Sequence, residues 1–77
     1  MLAHRMKIRI DTESDVTKIV SIATKLSDEI RVEIVDGEGM RVNARSIIGM
    51  LYAMTFNEIW LESNYDVYHY FSDFSVD

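Results

Sequence analysis

Two apolar periodicities alternate along this chain, and their order restricts it to a few folds. Over residues 6–10 apolar side chains alternate with basic ones, which is typical of a half-buried strand. Over residues 16–26 apolar side chains recur at helical spacing, which predicts an amphipathic helix. Thr12 and Asp15 fit a capping box at its start, with Thr12 as N-cap and Asp15 reaching back.

The rest of the chain continues the alternation. The predicted elements are a second strand over 30–34, a turn over 36–39, a third strand over 40–42, a helix over 45–54, a fourth strand over 59–61 and a last helix with Val67, Tyr70, Phe71 and Phe74 on its apolar face. The order is β-α-β-β-α-β-α. One four-stranded antiparallel sheet with three helices on one face buries every apolar stripe, which is an α+β open-faced β-sandwich. We expect a single domain over residues 1–77.

The composition argues against several functional classes. A net charge of −5 disfavours nucleic-acid binding, since phosphate backbones attract basic surfaces. The chain has no cysteine, which leaves no disulfide framework or thiolate metal site. No apolar run approaches the roughly 20 residues of a membrane helix, and nothing near the N-terminus resembles a signal peptide. We therefore expect a cytoplasmic protein that binds neither nucleic acid nor membrane.

The sequence gives no indication of catalysis. It contains no nucleophile–base spacing, no metal-ligand cluster and no glycine-rich phosphate loop. We expect no catalytic residue, no metal and no cofactor, and we expect that the protein is not an enzyme.

Residues 42–49 read Val-Asn-Ala-Arg-Ser-Ile-Ile-Gly and carry the strongest family signal in the chain. They resemble the second-helix region of the HPr phosphocarrier family of the bacterial sugar phosphotransferase system. Residues 23–26, followed by Asp28, Ile30 and Val32, are similar to the family's exit from the first helix into the second strand. The resemblance covers residues 6–74 and implies the HPr-like fold.

A ferredoxin-like fold shares most of this element order and stays open as an alternative. The HPr arrangement places the second and fourth strands in the middle of the sheet, whereas the ferredoxin-like arrangement places the first and third strands there. Strand order therefore separates the two.

The loop before the first helix departs from the family pattern. Family members carry a glycine, a phosphorylatable histidine, an arginine and a proline there. Here the loop reads Asp11, Thr12, Glu13, Ser14 and Asp15. Thr12 matches the histidine position, Ser14 the arginine and Asp15 the proline. Since phosphoryl transfer needs an imidazole nucleophile and positive charge around the phosphoryl oxygens, the resemblance implies a degenerate active site with reversed charge.

The resemblance also assigns roles in the second helix. Ser46 matches the serine that a dedicated kinase phosphorylates in many family members, which implies regulatory phosphorylation. The implied partner-binding residues are Asn43, Arg45, Ile47, Ile48 and Leu51. In the family, the last three of these positions form an exposed apolar patch that docks partner proteins.

These observations give one leading function and two alternatives. The first is a non-catalytic HPr-like regulatory or interaction protein, with phosphotransferase-system enzymes, the HPr serine kinase or a carbon-catabolite regulator as implied partners. The second is a ferredoxin-like small regulatory or ligand-binding domain. The third is a phosphocarrier that uses an atypical residue. We expect a monomer or a weak homodimer.

Overall fold

A computed structural model describes residues 2–76 of the chain. Its elements are β1 (His4–Lys7), α1 (Glu13–Lys25), β2 (Val32–Val35), β3 (Arg41–Asn43), α2 (Ile47–Ala53), β4 (Trp60–Ser63) and α3 (Tyr68–Phe71), followed by a 3-10 turn (Ser72–Phe74). Within the described residues no helix has the length and apolar composition needed to cross a bilayer.

The four strands form one antiparallel sheet in the order β1-β4-β2-β3. The predicted α+β open-faced sandwich is confirmed, with the helices covering one face of the sheet. The second and fourth strands are central, so the sheet does not have the ferredoxin-like order, in which the first and third strands would be central.

The core lies between the sheet and the helices. Val32 and Ile34 of β2 and Leu61 of β4 point into it and are buried. Because side chains alternate across a strand, Glu33 and Glu62 point to the opposite, open face. The remaining core members come from the first strand region, the helices and the loops: Ile8, Ile10, Val16, Ile19, Val20, Ala23, Ala44, Met50, Ala53, Ile59, Val67, Phe71 and Phe74.

The hairpin between β2 and β3 closes through Asp36 and two glycines. One Asp36 carboxylate oxygen accepts hydrogen bonds from the backbone N–H groups of Glu38 (2.7 Å) and Met40 (3.1 Å). Gly37 and Gly39 have φ of 85° and 112°, a region that side chains disfavour. The turn predicted over residues 36–39 is confirmed.

The predicted boundaries of β1, β2 and α2 need correction. The first strand was predicted over residues 6–10, but β1 is His4–Lys7, followed by an isolated bridge at Ile8. The backbone N–H of Ile30 donates to the Ser27 carbonyl, and that of Arg31 donates to Asn64 Oδ1, so β2 begins only at Val32. The second helix begins at Ile47, two residues later than predicted, because Ser46 is its N-cap.

The last helix is also shorter than predicted. Val67, Phe71 and Phe74 are buried as expected. Tyr70 is 47% exposed, so the prediction that it lies on the apolar face was wrong. Regular helical spacing does not extend over residues 67–74, because the α-helix covers only Tyr68–Phe71 and a 3-10 turn follows it. After the 3-10 turn the chain pairs with the edge of β1, where the Arg9 N–H donates to the Phe74 carbonyl (2.8 Å).

Candidate interaction site on the second helix

Helix α2 begins in a turn built by Asn43 and Ser46. Asn43 Oδ1 accepts a hydrogen bond from the Arg45 N–H (2.8 Å), and the Asn43 carbonyl accepts one from the Ser46 N–H (2.9 Å). Ser46 Oγ then accepts from the Gly49 N–H at 3.0 Å. Both residues therefore shape the helix start, and Ser46 satisfies one of the N–H groups that a helix leaves unpaired there.

Gly49 lets α2 lie close against β3. A Cβ at this position would lie 3.2 Å from the Cβ of Val42 and 3.3 Å from Ser46 Oγ. Both contacts are tighter than ordinary van der Waals distance. The close packing of α2 against β3 thus explains why a glycine occupies this position despite its low helix propensity.

The apolar residues of α2 divide between the core and an exposed surface. Met50 and Ala53 are fully buried. On the other side of the helix the exposed fractions are 53% for Ile47, 82% for Ile48, 41% for Leu51 and 50% for Tyr52. We call these four residues the α2 apolar face. Met50 and Ala53 supply the helix's share of the core without these four residues, and an exposed apolar surface of this kind often marks an interaction site.

Arg45 points away from this face. Its guanidinium donates to the backbone carbonyls of Ile30 (2.9 Å), Ser27 (3.2 Å) and Leu26 (3.4 Å). The side chain is thus committed to the loop between α1 and β2. This geometry favours a structural role over the predicted role in partner binding, and it directs the charge away from Ser46.

The loop before α1 forms a helix cap. Thr12 Oγ1 accepts from the Asp15 N–H at 3.2 Å, which confirms the predicted capping box. Asp15 Oδ2 accepts from the N–H groups of Asp11 (2.9 Å) and Thr12 (3.2 Å). The N–H groups of Asp11, Thr12 and Asp15 are therefore paired within the loop itself. Glu13 and Ser14 are exposed in the first turn.

Hydrogen bonding shifts the titration of Asp15. The Asp11 N–H, with help from Thr12 and Lys18, lowers the pKa of Asp15 below its ordinary value, against an opposing contribution from desolvation. Asp15 also lines a cleft of about 300 Å³ with Arg9, Lys18 and Asp73. Arg9 is paired with Asp11 at 3.3 Å, so the cleft holds charges of both signs.

A feature that the sequence analysis missed lies at the C-terminal end of α2. Tyr52 stacks edge-on against Phe56, with ring centroids 5.6 Å apart. The two rings line a cleft of about 220 Å³ in which every charged lining residue is acidic: Asp36, Glu38 and Glu58. We call this the acidic cleft. Its acidic residues come from two loops about 20 residues apart in the sequence, so no local motif predicts it.

The two histidines lie away from the loop that precedes α1. His4 is in β1 and His69 is in α3, and both are exposed. Within residues 2–76 no group of three or more potential metal ligands is close enough to hold an ion.

Comparisons with protein-family models, with curated proteins and with solved structures find no match to this chain.

Proposed function

We propose that this protein is a non-catalytic, HPr-like regulatory or interaction module that binds a protein partner through α2. The observation that carries the proposal is the α2 apolar face, which stays exposed although the helix already fills its place in the core. Such a contiguous apolar surface on a small domain is typical of a protein-binding site.

The sheet order supports the HPr-like part of this proposal, and the loop before α1 supports the absence of phosphocarrier chemistry. Central β2 and β4 agree with the HPr-like arrangement that the Val42–Gly49 motif implies. The loop has no imidazole, and the Asp15 carboxylate accepts hydrogen bonds from the N–H groups of Asp11 and Thr12. A phosphoryl group would therefore meet carboxylates where a phosphocarrier needs a nucleophile and positive charge.

Phosphorylation of Ser46 is the regulatory part of the proposal. The hydroxyl is at the N-cap of α2, next to Ile47 and Ile48. A phosphate there would add about −1.5 to −2 charges at the edge of the apolar face. It would thus change partner binding directly. The implied kinase is the HPr serine kinase, the implied readers are phosphotransferase-system enzymes or a carbon-catabolite regulator, and the implied compartment is the cytoplasm.

Phosphoryl transfer from the phosphotransferase chain tests the loss of carrier function. The purified protein is incubated with phosphoenolpyruvate and the general enzyme of that system, and its intact mass is measured. We expect no change in mass, because residues 11–15 offer no imidazole. An authentic HPr in the same tube should gain one phosphate.

A stoichiometric, acid-labile gain of one phosphate would instead establish a phosphocarrier with an atypical acceptor. In parallel, incubation with ATP and the HPr serine kinase should add an acid-stable phosphate to the protein and none to Ser46→Ala.

A further inference from the structure

The α2 apolar face leads directly into the acidic cleft. Ile48 and Tyr52 are four residues apart and therefore lie one above the other on the same side of the helix. Tyr52 belongs both to the apolar face and to the wall of the cleft. A partner that covers Ile48 and continues along the helix thus reaches Asp36, Glu38 and Glu58.

The charged residues that line this path are acidic, and one of them is paired with a lysine. The chain carries no charged residue between Arg45 and Glu58, so α2 itself is neutral. Arg45 is turned into the loop between α1 and β2. Lys7 lies 3.8 Å from Glu58 and offsets part of its charge. Asp36 and Glu38 have no such ion pair among those formed by the described residues.

We infer that the partner of α2 is a protein segment of cationic amphipathic character, with apolar side chains over Ile48 and Leu51 and lysine or arginine at the acidic cleft. The inference rests on the proposed function, since it specifies what the α2 apolar face binds. A basic partner is steered by the net charge of −5 and places its cations at a cleft whose charged lining residues are Asp36, Glu38 and Glu58. An acidic segment would meet like charge at the same place.

A second copy of this chain fits the surface less well. In a two-fold dimer through α2 each acidic cleft would approach the uncharged helix of the partner or the partner's own carboxylates. Neither arrangement supplies a cation to the cleft.

Two matched peptides test the inference. Both are amphipathic helices with the same leucine face; one has lysine and the other glutamate at every polar position. Binding of each labelled peptide to the full chain is measured by fluorescence anisotropy at low and high salt. We expect the lysine peptide to bind at least about tenfold more tightly, with an advantage that shrinks at high salt.

Three variants separate the apolar and charged contributions. Ile48→Ser should weaken binding of the lysine peptide, and its high exposure means that the fold is retained, as circular dichroism would verify. Glu38→Lys should weaken binding of the lysine peptide about threefold to tenfold. Asp73→Lys changes the net charge equally but lies in the 3-10 turn and does not line the acidic cleft, so it should have little effect.

The outcomes distinguish the two proposals. If Ile48→Ser weakens both peptides while the peptides bind equally and Glu38→Lys has no effect, α2 is a docking site but the cationic partner is wrong. If Ile48→Ser leaves the binding of both peptides unchanged, or neither peptide binds, both proposals fail. If only the glutamate peptide binds and Ile48→Ser weakens it, α2 is a docking site but the cationic partner is wrong. If the protein forms a homodimer that Ile48→Ser dissociates, the partner of α2 is a second copy of this chain and not a cationic segment.

Discussion

Asp15 ties the loop before α1 to the start of the helix. Its carboxylate accepts hydrogen bonds from the Asp11 and Thr12 N–H groups, while Thr12 Oγ1 accepts from the Asp15 N–H in return. This capping box stabilises the start of α1.

The lowered pKa of Asp15 predicts an acid-sensitive contribution to stability. A carboxylate with a folded pKa below its unfolded value stabilises the fold above the unfolded value, and this stabilisation is lost as pH falls through the folded pKa. Asp15→Asn should therefore unfold more readily than the natural protein at neutral pH. The difference should shrink as the pH falls well below 4, measured as unfolding midpoints across pH.

Glu13→Gln is the matched control for this prediction. Glu13 lies in the same exposed first turn but does not form the capping box. Its variant should change the midpoint less than Asp15→Asn does. An Asp15→Asn difference that stays constant from neutral to acid pH would show that the carboxylate charge is not involved.

At the scale of elements, Arg45 connects the start of α2 to the end of α1. A helix leaves its last carbonyls without partners inside the helix. The guanidinium of Arg45 supplies donors to the carbonyls of Leu26, Ser27 and Ile30, all at or just after that end. One side chain thus links the start of α2 to the end of α1 and to the loop before β2.

Replacing Arg45 should therefore weaken the fold. Hydrogen bonds that involve a charged group contribute about 1.5–3 kcal/mol, so we expect Arg45→Met to lower the free energy of unfolding by about 2 kcal/mol in a denaturant titration. Lys25→Met removes a cation from the last turn of α1 and should cost less than about 1 kcal/mol. Equal losses for the two variants would contradict the role assigned to Arg45.

At the scale of the whole molecule, the open face of the sheet holds a network of charges across all four strands. Glu33 and Glu62 lie directly opposite each other on the two central strands. Arg41 Nη1 lies 2.9 Å from a carboxylate oxygen of each. Arg5 approaches Glu62 at 3.6 Å and also lies over the Trp60 ring, 4.2 Å from its centroid.

Arg41 offsets the repulsion between the two carboxylates in this network. Two facing carboxylates repel each other, and the Glu62 side chain is only 12% exposed, so water screens it poorly. Hydrogen bonds to Glu33, and then to Glu62, raise the pKa of Arg41 above its ordinary value. The central pair of strands therefore depends on a residue of the edge strand β3.

Removal of Arg41 should destabilise the protein through Glu33 and Glu62. We expect Arg41→Met to lower the denaturation midpoint more than Arg31→Met does, since Arg31 contacts Glu33 alone. Adding Glu62→Gln to Arg41→Met should restore part of the loss, because it removes one of the two facing charges. A double-mutant cycle measures the coupling. No restoration would mean that Arg41 acts by packing alone.

Much of the fold could be predicted from the sequence, and the predictable part is local. The alternation in β1, the buried stripe of α1, the capping box at Thr12 and the glycine turn after Asp36 all depend on neighbours within a few residues. Helix boundaries were less accurate, because the start of α2 depends on which residue caps it. Tyr70 was predicted on the wrong side because the last helix is only four residues long and continues as a 3-10 turn, which has a different periodicity.

The sequence by itself determined the order of the elements, the buried side of α1, the absence of a histidine from residues 11–15 and the uncharged character of α2. Only the tertiary structure decided that Glu33 faces Glu62, that Arg45 donates to the loop between α1 and β2 and that Asp36, Glu38 and Glu58 line one cleft with Tyr52. The reason is physical. Periodicity reports which side of an element avoids water, whereas strand order, register and loop closure decide which distant side chains become neighbours.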